Sequence, residues 1–357
     1  MSGGWCPGKG GQNRCHMELS KSDTTAIKGI AILLMLWHHL FLNTMAYGTL
    51  THSLAVVFKV CVALFLFVSG YGLTKQYSQL EKPYFKNTIK FLLRRYANFF
   101  LPYWFCFVLV VVVGNVCGYT FSEAYPSSRN IIKCILLDVA GQMGYNSYLN
   151  PWWFNKMIIQ LYLVFPILFL IICNKYLSWV GLALVVVVQF YAKNIPGHVF
   201  FLVECGLPAF YLGMLCARCR VVPRTNDGKW RPLFFVAGLL VCIGLAVLHV
   251  MVVKDPYVAV LLRASMAFCV IVAYKSIGDK HISALEFVGK YATIMYLTHM
   301  LFIKLIPGVI YGVKYSVLIF VMLVAICLAT AMLIDALEKM SRYDRLRVGI
   351  VKQIDKW

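Results

Sequence analysis

Long apolar stretches recur along almost the whole chain, and they constrain its fold more than any other feature. A window of about twenty apolar residues matches the length of a helix that crosses the hydrocarbon core of a membrane. The stretches cover residues 24–46, 54–74, 97–118, 153–173, 176–192, 198–217, 232–253, 257–275, 284–306 and 315–337. The sequence therefore predicts an all-α, polytopic transmembrane helical bundle of about ten spans. Residues 131–148 are too few and too polar for a span, and we expect an interfacial or re-entrant segment there.

The composition agrees with a helical membrane protein. Hydrophobic residues make up 61% of the chain, and the mean hydropathy is +0.75. This apolar fraction exceeds what a water-soluble fold needs. An outer-membrane barrel would instead show short segments of alternating polarity, which continuous runs such as 105–113 do not match.

The basic residues predict how the spans are oriented. The formal net charge is +20, and Lys and Arg cluster in short connectors between the apolar stretches. The basic connectors follow the second, sixth, eighth and tenth stretches, at about 75–95, 218–231, 275–280 and 339–356. Cytoplasmic connectors carry such an excess of Lys and Arg. We therefore expect a multi-pass protein of the cell (cytoplasmic) membrane with both termini cytoplasmic, and we expect no nucleic-acid binding.

The two ends of the chain differ from its apolar middle. Residues 1–16 are rich in glycine and lack periodicity, which predicts a disordered N-terminal segment over 1–20. Met17 is a candidate for the true start of translation, because the organised sequence begins directly after it. We expect one transmembrane domain over 21–340 and a basic cytoplasmic tail over 341–357.

The cysteines do not predict a metal site. Most of the thirteen lie in apolar stretches, where cysteine acts as a small hydrophobic residue. Cys216 and Cys219 have the spacing of a CxxC pair, but no second Cys or His pair accompanies them. We expect no bound metal and no bound cofactor.

The first apolar stretch contains two ionisable residues that share one face of a helix. Lys28 and His39 are eleven residues apart. Over eleven residues an α-helix comes back to within roughly 20° of its starting direction and rises about 16 Å. Ionisable groups inside a membrane are costly and by default indicate a functional site. The predicted orientation places Lys28 toward the cytoplasm and His39 in the outer half of the membrane.

Six motifs occur in a fixed order along residues 20–340. They are Lys28 with His39, FLFVSGYGL (65–73), Arg94-Arg95 followed by PYW (102–104), WF (153–154) followed by QLYLVFP (160–166), FYLGM (210–214), and GKYATIMYLTH (289–299). In this order the motifs resemble those of the integral-membrane acyltransferases of the acyltransferase-3 type. The resemblance implies O-acylation of sugars in surface polysaccharides and related acceptors.

The chain departs from the family pattern at three places, and the last two departures point to a different branch and so to a different acceptor. Asn98 stands where a second arginine often precedes the proline, which leaves the details of the donor contact open. Ile158 and Ile159 replace two acids that often precede the glutamine. Ala292 replaces a serine in the last motif.

The resemblance gives His39 and His299 the catalytic roles. A neutral imidazole near pH 7 can accept a proton from a sugar hydroxyl, so His39 is the predicted general base. His299 is expected to bind acceptor hydroxyls or to assist His39, although a buried histidine of the bundle would also fit. Tyr296 is one turn before His299 on the same face, and Asn43 is one turn beyond His39, where it would orient the ring.

Lys28, Arg94 and Arg95 are the predicted donor-binding residues. Their charge complements the phosphates of an acyl-CoA that arrives from the cytoplasm, and arginine binds phosphate in a bidentate geometry. The alternative is that these side chains only anchor helix ends by snorkelling.

Three further residues have supporting or acceptor-side roles in the prediction. Glu204 and Arg263 are expected to form a structural ion pair within the membrane. Trp153 belongs to an aromatic belt at the outer surface, where sugar stacking is the alternative. Ser69 is read as a small residue at a helix contact and not as a nucleophile.

The sequence thus predicts a membrane O-acyltransferase, and most simply an O-acetyltransferase. Acetyl-CoA or another acyl-CoA would be the co-substrate, and a hydroxyl of a surface or lipid-linked glycan the acceptor. A transporter or exporter of a glycan or small metabolite, without acyl-transfer chemistry, is the alternative, because basic residues and histidines also line ion paths.

Overall fold

The structure is a computed structural model whose described part is almost entirely helical. It describes residues 18–81, 84–126, 130–191, 206–219, 231–277 and 282–357. Within these ranges the regular elements are helices and there is no strand. The all-α prediction is confirmed. The predictions for residues 1–17, including the start at Met17, lie outside the described residues.

The helices are numbered here in chain order. They are α1 (Lys21–Phe41), α2 (Thr49–Phe58), α3 (Val60–Tyr77), α4 (Tyr84–Val116), α5 (Phe121–Ala124), α6 (Ile131–Val139), α7 (Trp153–Cys173), α8 (Lys175–Tyr191), α9 (Leu207–Cys219), α10 (Arg231–Met251), α11 (Pro256–Ser276), α12 (Ser283–Leu305), α13 (Pro307–Ile310), α14 (Ser316–Met340) and α15 (Tyr343–Lys356). Two short 3-10 helices, Gly144–Asn146 and Asn150–Trp152, precede α7.

Seven helical segments of the described chain are long and apolar enough to cross a membrane. They are Lys21–Phe41, Thr49–Tyr77, Phe85–Val116, Asn150–Cys173, Arg231–Met251, Pro256–Ser276 and Ser316–Met340. The apolar segments Lys175–Tyr191 and Leu207–Arg218 are shorter. These helices support a chain that crosses the membrane several times. The count of ten spans and the cytoplasmic position of both termini stay predictions.

Two predicted boundaries need correction. The first span was expected to reach residue 46, but α1 ends at Phe41, and Asn43 lies in the turn that follows. Asn43 is exposed and does not continue the helical face of His39. The second span is two helices, α2 and α3, joined at Lys59. Local turn chemistry decides these points, and hydrophobicity alone does not report it.

The chain forms two compact units, each discontinuous in sequence. For the described residues only, unit 1 lies within Met1–Ala31, Val57–Gln79 and Val164–Gly289, and unit 2 lies within Ile32–Val56, Leu80–Leu163 and Lys290–Trp357. In unit 1, α3 packs against α9 and α11, α10 packs against α11, and α8 packs against α9 and α11. In unit 2, α15 packs on α4 and α14.

Glycines allow two close helix crossings in unit 1. A Cβ atom on Gly70 of α3 would overlap the carbonyl oxygen of Phe210 in α9, and one on Gly213 would overlap the carbonyl oxygen of Phe67. Small residues at such positions let helix backbones approach closely in membrane proteins. Two of the sequence motifs therefore hold the glycines of one helix contact.

The second crossing joins α1 to the start of α12. A Cβ atom on Gly29 would overlap the carbonyl oxygen of Leu285, and one on Gly289 would overlap the carbonyl oxygen of Thr25. These glycines belong to the first and last motifs. Part of the motif pattern thus reports helix packing and not chemistry.

A buried ion pair also lies in unit 1. Lys275 Nζ is 2.9 Å from Asp23 Oδ2, and both side chains are less than a tenth exposed. Asp23 Oδ2 also accepts a hydrogen bond from the Ser20 backbone N–H at 2.8 Å. The pair links the first turn of α1 to the last turn of α11. Hydropathy had identified Lys275 only as a connector charge.

Candidate active site

The two histidines predicted as catalytic lie side by side in unit 2. The ring centroids of His39 in α1 and His299 in α12 are 4.9 Å apart. His299 has no solvent exposure, and His39 is half-buried. Two residues separated by 260 positions in the sequence therefore form one pair of imidazoles.

The surroundings of His299 determine which of its nitrogens is basic. His299 Nδ1 lies 2.8 Å from the carbonyl oxygen of Tyr296. A carbonyl only accepts, so Nδ1 carries the hydrogen and Nε2 keeps its lone pair in the neutral ring. Nε2 is buried and has no hydrogen-bond partner among the described residues. The lone pair is thus available to accept a proton or a hydrogen bond.

His38 supports the pair from the side of α2. Its Nδ1 lies 2.6 Å from the carbonyl oxygen of Ala55, and its ring centroid is 5.0 Å from that of His39. The side chain is buried. This bond fixes the ring of His38, so the neighbour of His39 on the helix is held in place.

Hydrogen bonds from residues 151–155, at the start of α7, hold the turn of α12 that comes directly before His299. Trp152 Nε1 donates to the carbonyl oxygen of Leu297 at 3.1 Å. Tyr296 donates its hydroxyl to the carbonyl oxygen of Pro151 at 2.9 Å and to Asn155 Oδ1 at 3.2 Å. The backbone that carries His299 is therefore tied at two adjacent residues.

The buried side chain of Asp138 holds the segment between α6 and α7 by hydrogen bonds. Asp138, at the end of α6, is 1% exposed, and its Oδ2 accepts bonds from the Tyr125 hydroxyl and the Tyr148 backbone N–H, both at 2.6 Å. Its carbonyl oxygen accepts the hydroxyl of Tyr103 at 2.6 Å. Burial raises the pKa of Asp138, and the bonds from Tyr125 and Tyr148 oppose that rise.

The match to a family model decides what kind of site this is. The acyltransferase-3 model, described as an acyltransferase domain, matches residues 24–336. The chain belongs to the acyltransferase-3 family. The match covers most of the chain, including both histidines, Asp138 and both pairs of glycines. No curated protein and no solved structure matches this chain.

Membership of the acyltransferase-3 family establishes the broad class of protein. Together with the apolar helices, it makes this chain a multi-pass membrane acyltransferase. The resemblance seen in the six motifs is confirmed. The acyl donor, the acceptor and the roles of individual residues stay predictions.

The predicted donor-binding arginines of this acyltransferase-3 protein lie on α4, within unit 2. Arg94 forms an ion pair with the Asp355 carboxylate of α15, and the two side chains are 46% and 41% exposed. Lys90 Nζ donates to the Asp355 carbonyl oxygen at 3.2 Å. The Arg95 guanidinium lies over the Phe91 ring, 5.2 Å from its centroid. A cationic surface is thus present, with a carboxylate on it.

The remaining predicted residues have the following positions in the structure. Lys28 is exposed on α1, in unit 1, and Arg263 is half-buried in α11, also in unit 1. Glu204 lies outside the described residues, so the predicted pair with Arg263 stays untested. Trp153 is half-buried at the start of α7, with its ring 5.5 Å from that of Tyr145. Within the described ranges, no group of three or more His, Cys, Asp or Glu residues is placed to hold a metal.

Two residues around the site were missed by sequence reasoning. Asp138 interrupts the apolar run Ile-Leu-Leu-Asp-Val, and in the sequence it only adds to the polarity of residues 131–148. Asn155 follows the conspicuous tryptophans but carries no pattern of its own. The signal in the sequence for Asp138 is a single acid within an apolar helix. A buried carboxyl group needs hydrogen-bond partners, so such an acid indicates a specific contact.

Proposed function

We propose that this protein transfers an acyl group from a cytoplasmic acyl-CoA, most simply acetyl-CoA, to a hydroxyl of a surface or lipid-linked glycan. The observation that supports this best is the contact between the His39 and His299 rings, with the lone pair of His299 Nε2 available. Acyl transfer to a hydroxyl needs a base at the reacting oxygen, and a neutral imidazole suits that task near pH 7.

His39 is the proposed general base. It is half-buried, so an acceptor hydroxyl can reach it, whereas His299 is fully enclosed. His39 removes the hydroxyl proton while the oxygen attacks the thioester carbonyl. The carbon–sulfur bond then breaks, and the imidazolium returns the proton to the departing thiolate. The products are the acyl ester and free CoA thiol, so atoms and charge balance.

His299 is proposed to stabilise the charge that forms on His39. An imidazolium inside an apolar bundle is costly unless a neighbouring group offers an electron pair. His299 Nε2 supplies that electron pair beside the His39 ring. Because the Tyr296 carbonyl holds the opposite nitrogen of His299, the lone pair on Nε2 is oriented before substrate arrives, as electrostatic preorganisation requires.

Arg94 and Arg95 are proposed to bind the donor phosphates, with Lys28 as a further cation. The carboxylate of Asp355 already rests on Arg94, which marks this position as one that accepts an anion. The basic connectors support a cytoplasmic position for this surface. An acyl-CoA made in the cytoplasm would meet it there.

The test is release of free CoA thiol by the full chain in lipid nanodiscs, with acetyl-CoA and a panel of glycan acceptors. We expect His39→Ala to abolish detectable release, since general bases contribute about 10²–10⁴-fold. His299→Ala should lower release about 100-fold or more, since loss of one group that stabilises transition-state charge costs about 10²–10³-fold. His52→Ala is the matched control, because His52 lies in the same unit and bonds its ring to the Phe41 carbonyl at 3.4 Å. It should leave the rate unchanged.

The acceptor is identified in cells by mass spectrometry of surface glycans with and without the gene. Ester groups should be lost without the gene and should stay lost with His39→Ala. Flux of a glycan without thiol release would contradict the proposal and favour the transporter. Full activity of His39→Ala would contradict the assigned base.

A further inference from the structure

We propose that Asp138 is a positioning residue for the His39–His299 pair. This inference rests on the proposed function. The bonds of Asp138 run to Tyr125, Tyr148 and Tyr103 and not to the histidines, so it acts through the segment that joins α6 to α7. That segment carries Trp152, which contacts α12 two residues before His299.

The first step is the anchoring of the segment at Tyr148. Oδ2 of Asp138 accepts the Tyr148 backbone N–H at 2.6 Å, across ten residues of chain. Tyr148 is fully buried, and it exchanges bonds with Tyr119, whose carbonyl accepts its hydroxyl at 2.7 Å. Tyr119 in turn donates its hydroxyl to the Tyr148 carbonyl oxygen at 3.0 Å. Tyr148 is thus held at its N–H, its carbonyl and its side chain.

The second step carries this position to Trp152. The 3-10 helix Asn150–Trp152 starts two residues after Tyr148, and the Trp152 backbone N–H bonds to the Leu149 carbonyl at 2.9 Å. The Trp152 ring is 1% exposed and lies 5.6 Å from Tyr103 and 5.5 Å from Phe107. Tyr103 also donates to the Asp138 carbonyl oxygen. Asp138 therefore fixes both the backbone and one wall of the tryptophan site.

The third step reaches the catalytic pair. Trp152 donates to the Leu297 carbonyl, and Pro151 accepts from Tyr296. The Tyr296 carbonyl then accepts the His299 ring N–H. A shift of the segment would be passed to the residue that sets the orientation of His299. Displacements of about 1 Å far from the reacting atoms can lower a rate about 100-fold.

Oδ2 of Asp138 accepts both the Tyr125 hydroxyl and the Tyr148 backbone N–H, so substitutions at Asp138 give a sharp set of variants. Asp138→Asn keeps an oxygen that accepts from Tyr125 and Tyr148, so it should retain a rate within about threefold of the parent. Asp138→Ala leaves both donors without an acceptor. Asp138→Glu keeps the charge but moves the oxygen by one methylene group, which displaces the segment.

The experiment measures kcat and KM for acetyl-CoA with the full chain in nanodiscs, normalised to folded protein by size-exclusion chromatography. We expect Asp138→Ala and Asp138→Glu to lower kcat at least about tenfold with KM for acetyl-CoA nearly unchanged. Asp335→Ala is the control, because Asp335 is also in unit 2 and pairs with Lys339 outside this network. It should leave both constants unchanged.

A double-mutant cycle separates positioning from general stability. Trp152→Phe keeps an aromatic ring but removes the bond to Leu297. If Asp138 acts through this bond, Asp138→Ala with Trp152→Phe will be little slower than the slower single variant. Additive losses, or an unchanged kcat in Asp138→Glu, would overturn the inference.

Two outcomes keep this proposal apart from the proposed function. Loss of activity in His39→Ala with a normal kcat in Asp138→Glu would refute only the role of Asp138. Full activity in His39→Ala would refute the assigned base whatever Asp138 does. If Asp138→Ala does not fold, Asp138→Glu takes its place in the cycle.

Discussion

Buried ionisable residues fix several of the specific contacts in this chain. Asp23 and Lys275 form a pair that is almost fully withdrawn from solvent, and Asp138 is a buried acid whose side chain accepts bonds from Tyr125 and Tyr148. Removing one member of a buried pair leaves an uncompensated charge, which costs more than the pair itself contributes. These residues therefore give predictions with a clear direction.

Lys275→Met should lower the free energy of unfolding by about 3–5 kcal/mol. The double variant with Asp23→Asn should recover part of that loss, because the stranded charge is then gone. Lys75→Met is the matched control in unit 1, since Lys75 pairs with the exposed Glu18 and such pairs contribute about 1 kcal/mol or less. Unfolding in mixed detergent micelles measures all three, and equal losses for Lys275 and Lys75 would contradict the account.

Asp138 should also make stability depend on pH. Its folded-state pKa is raised by burial above the unfolded value of about 3.9, so the fold favours the protonated acid. The stability it contributes is full below the unfolded pKa and is lost as pH rises through the folded pKa. Relative to Asp138→Asn, the parent should gain melting temperature as pH falls from 7.5 toward 4. A constant difference, or one of opposite sign, would refute this.

At the level of whole helices, the glycines of α3 and α9 determine how closely these two helices pack. The obstacle to a side chain at Gly70 or Gly213 is a backbone carbonyl of the facing helix. A carbonyl cannot rotate away as a side chain can. The helices must separate to admit a methyl group.

Gly70→Ala and Gly213→Ala should each destabilise the protein by about 1–3 kcal/mol, as overpacking does. Gly72→Ala, two residues away on α3, is the control, because nothing lies within 4 Å of its Cβ position. Alanine favours helix by up to about 1 kcal/mol over glycine, so Gly72→Ala should be neutral or stabilising. Melting temperatures in one detergent compare the three, and similar losses at Gly70 and Gly72 would reject the crossing.

Helix positions were predictable from sequence, whereas the connections between them were not. The stretch predicted at 153–173 is α7 itself, since a long apolar run needs no partner to be recognised. The join at Lys59 and the end of α1 at Phe41 depend on local backbone geometry. The motifs brought His39 and His299 into one hypothesis. Asp138 bonds residues that are 10 to 35 positions away in the sequence, and no sequence pattern predicts which residues these are.

Charge is the property that concerns the molecule as a whole. The chain has 34 basic and 14 acidic residues, so each acid near a basic surface has many possible cations. Asp355 in the C-terminal helix α15 selects Arg94, with Lys90 beside it. Tyr343 fixes the start of the same helix by donating to the Leu101 carbonyl at 2.9 Å. The helix thereby lowers the net positive charge of this part of α4.

Asp355→Asn should tighten acetyl-CoA binding by up to about fivefold at low salt, if Arg94 binds the donor phosphates. The ion pair is exposed and contributes about 1 kcal/mol or less, which bounds the gain. Asp335→Asn, which removes the surface pair with Lys339, is the control and should change nothing. Calorimetric titration with CoA at low and at 0.5 M salt tests this. Weaker binding in Asp355→Asn would contradict the competition, and a normal affinity in Arg94→Gln would exclude the arginine as the donor site.

The close crossing of α3 and α9 has a consequence for genetic suppression. In many helix contacts, a bulky substitution on one side is relieved by a smaller residue on the other. Here the group that a new side chain would overlap is a backbone carbonyl oxygen of the facing helix, and no substitution removes a backbone carbonyl. A screen for second-site revertants of Gly213→Ala should therefore recover no change at Gly70. Any revertants should instead fall at residues that let the two helices move apart.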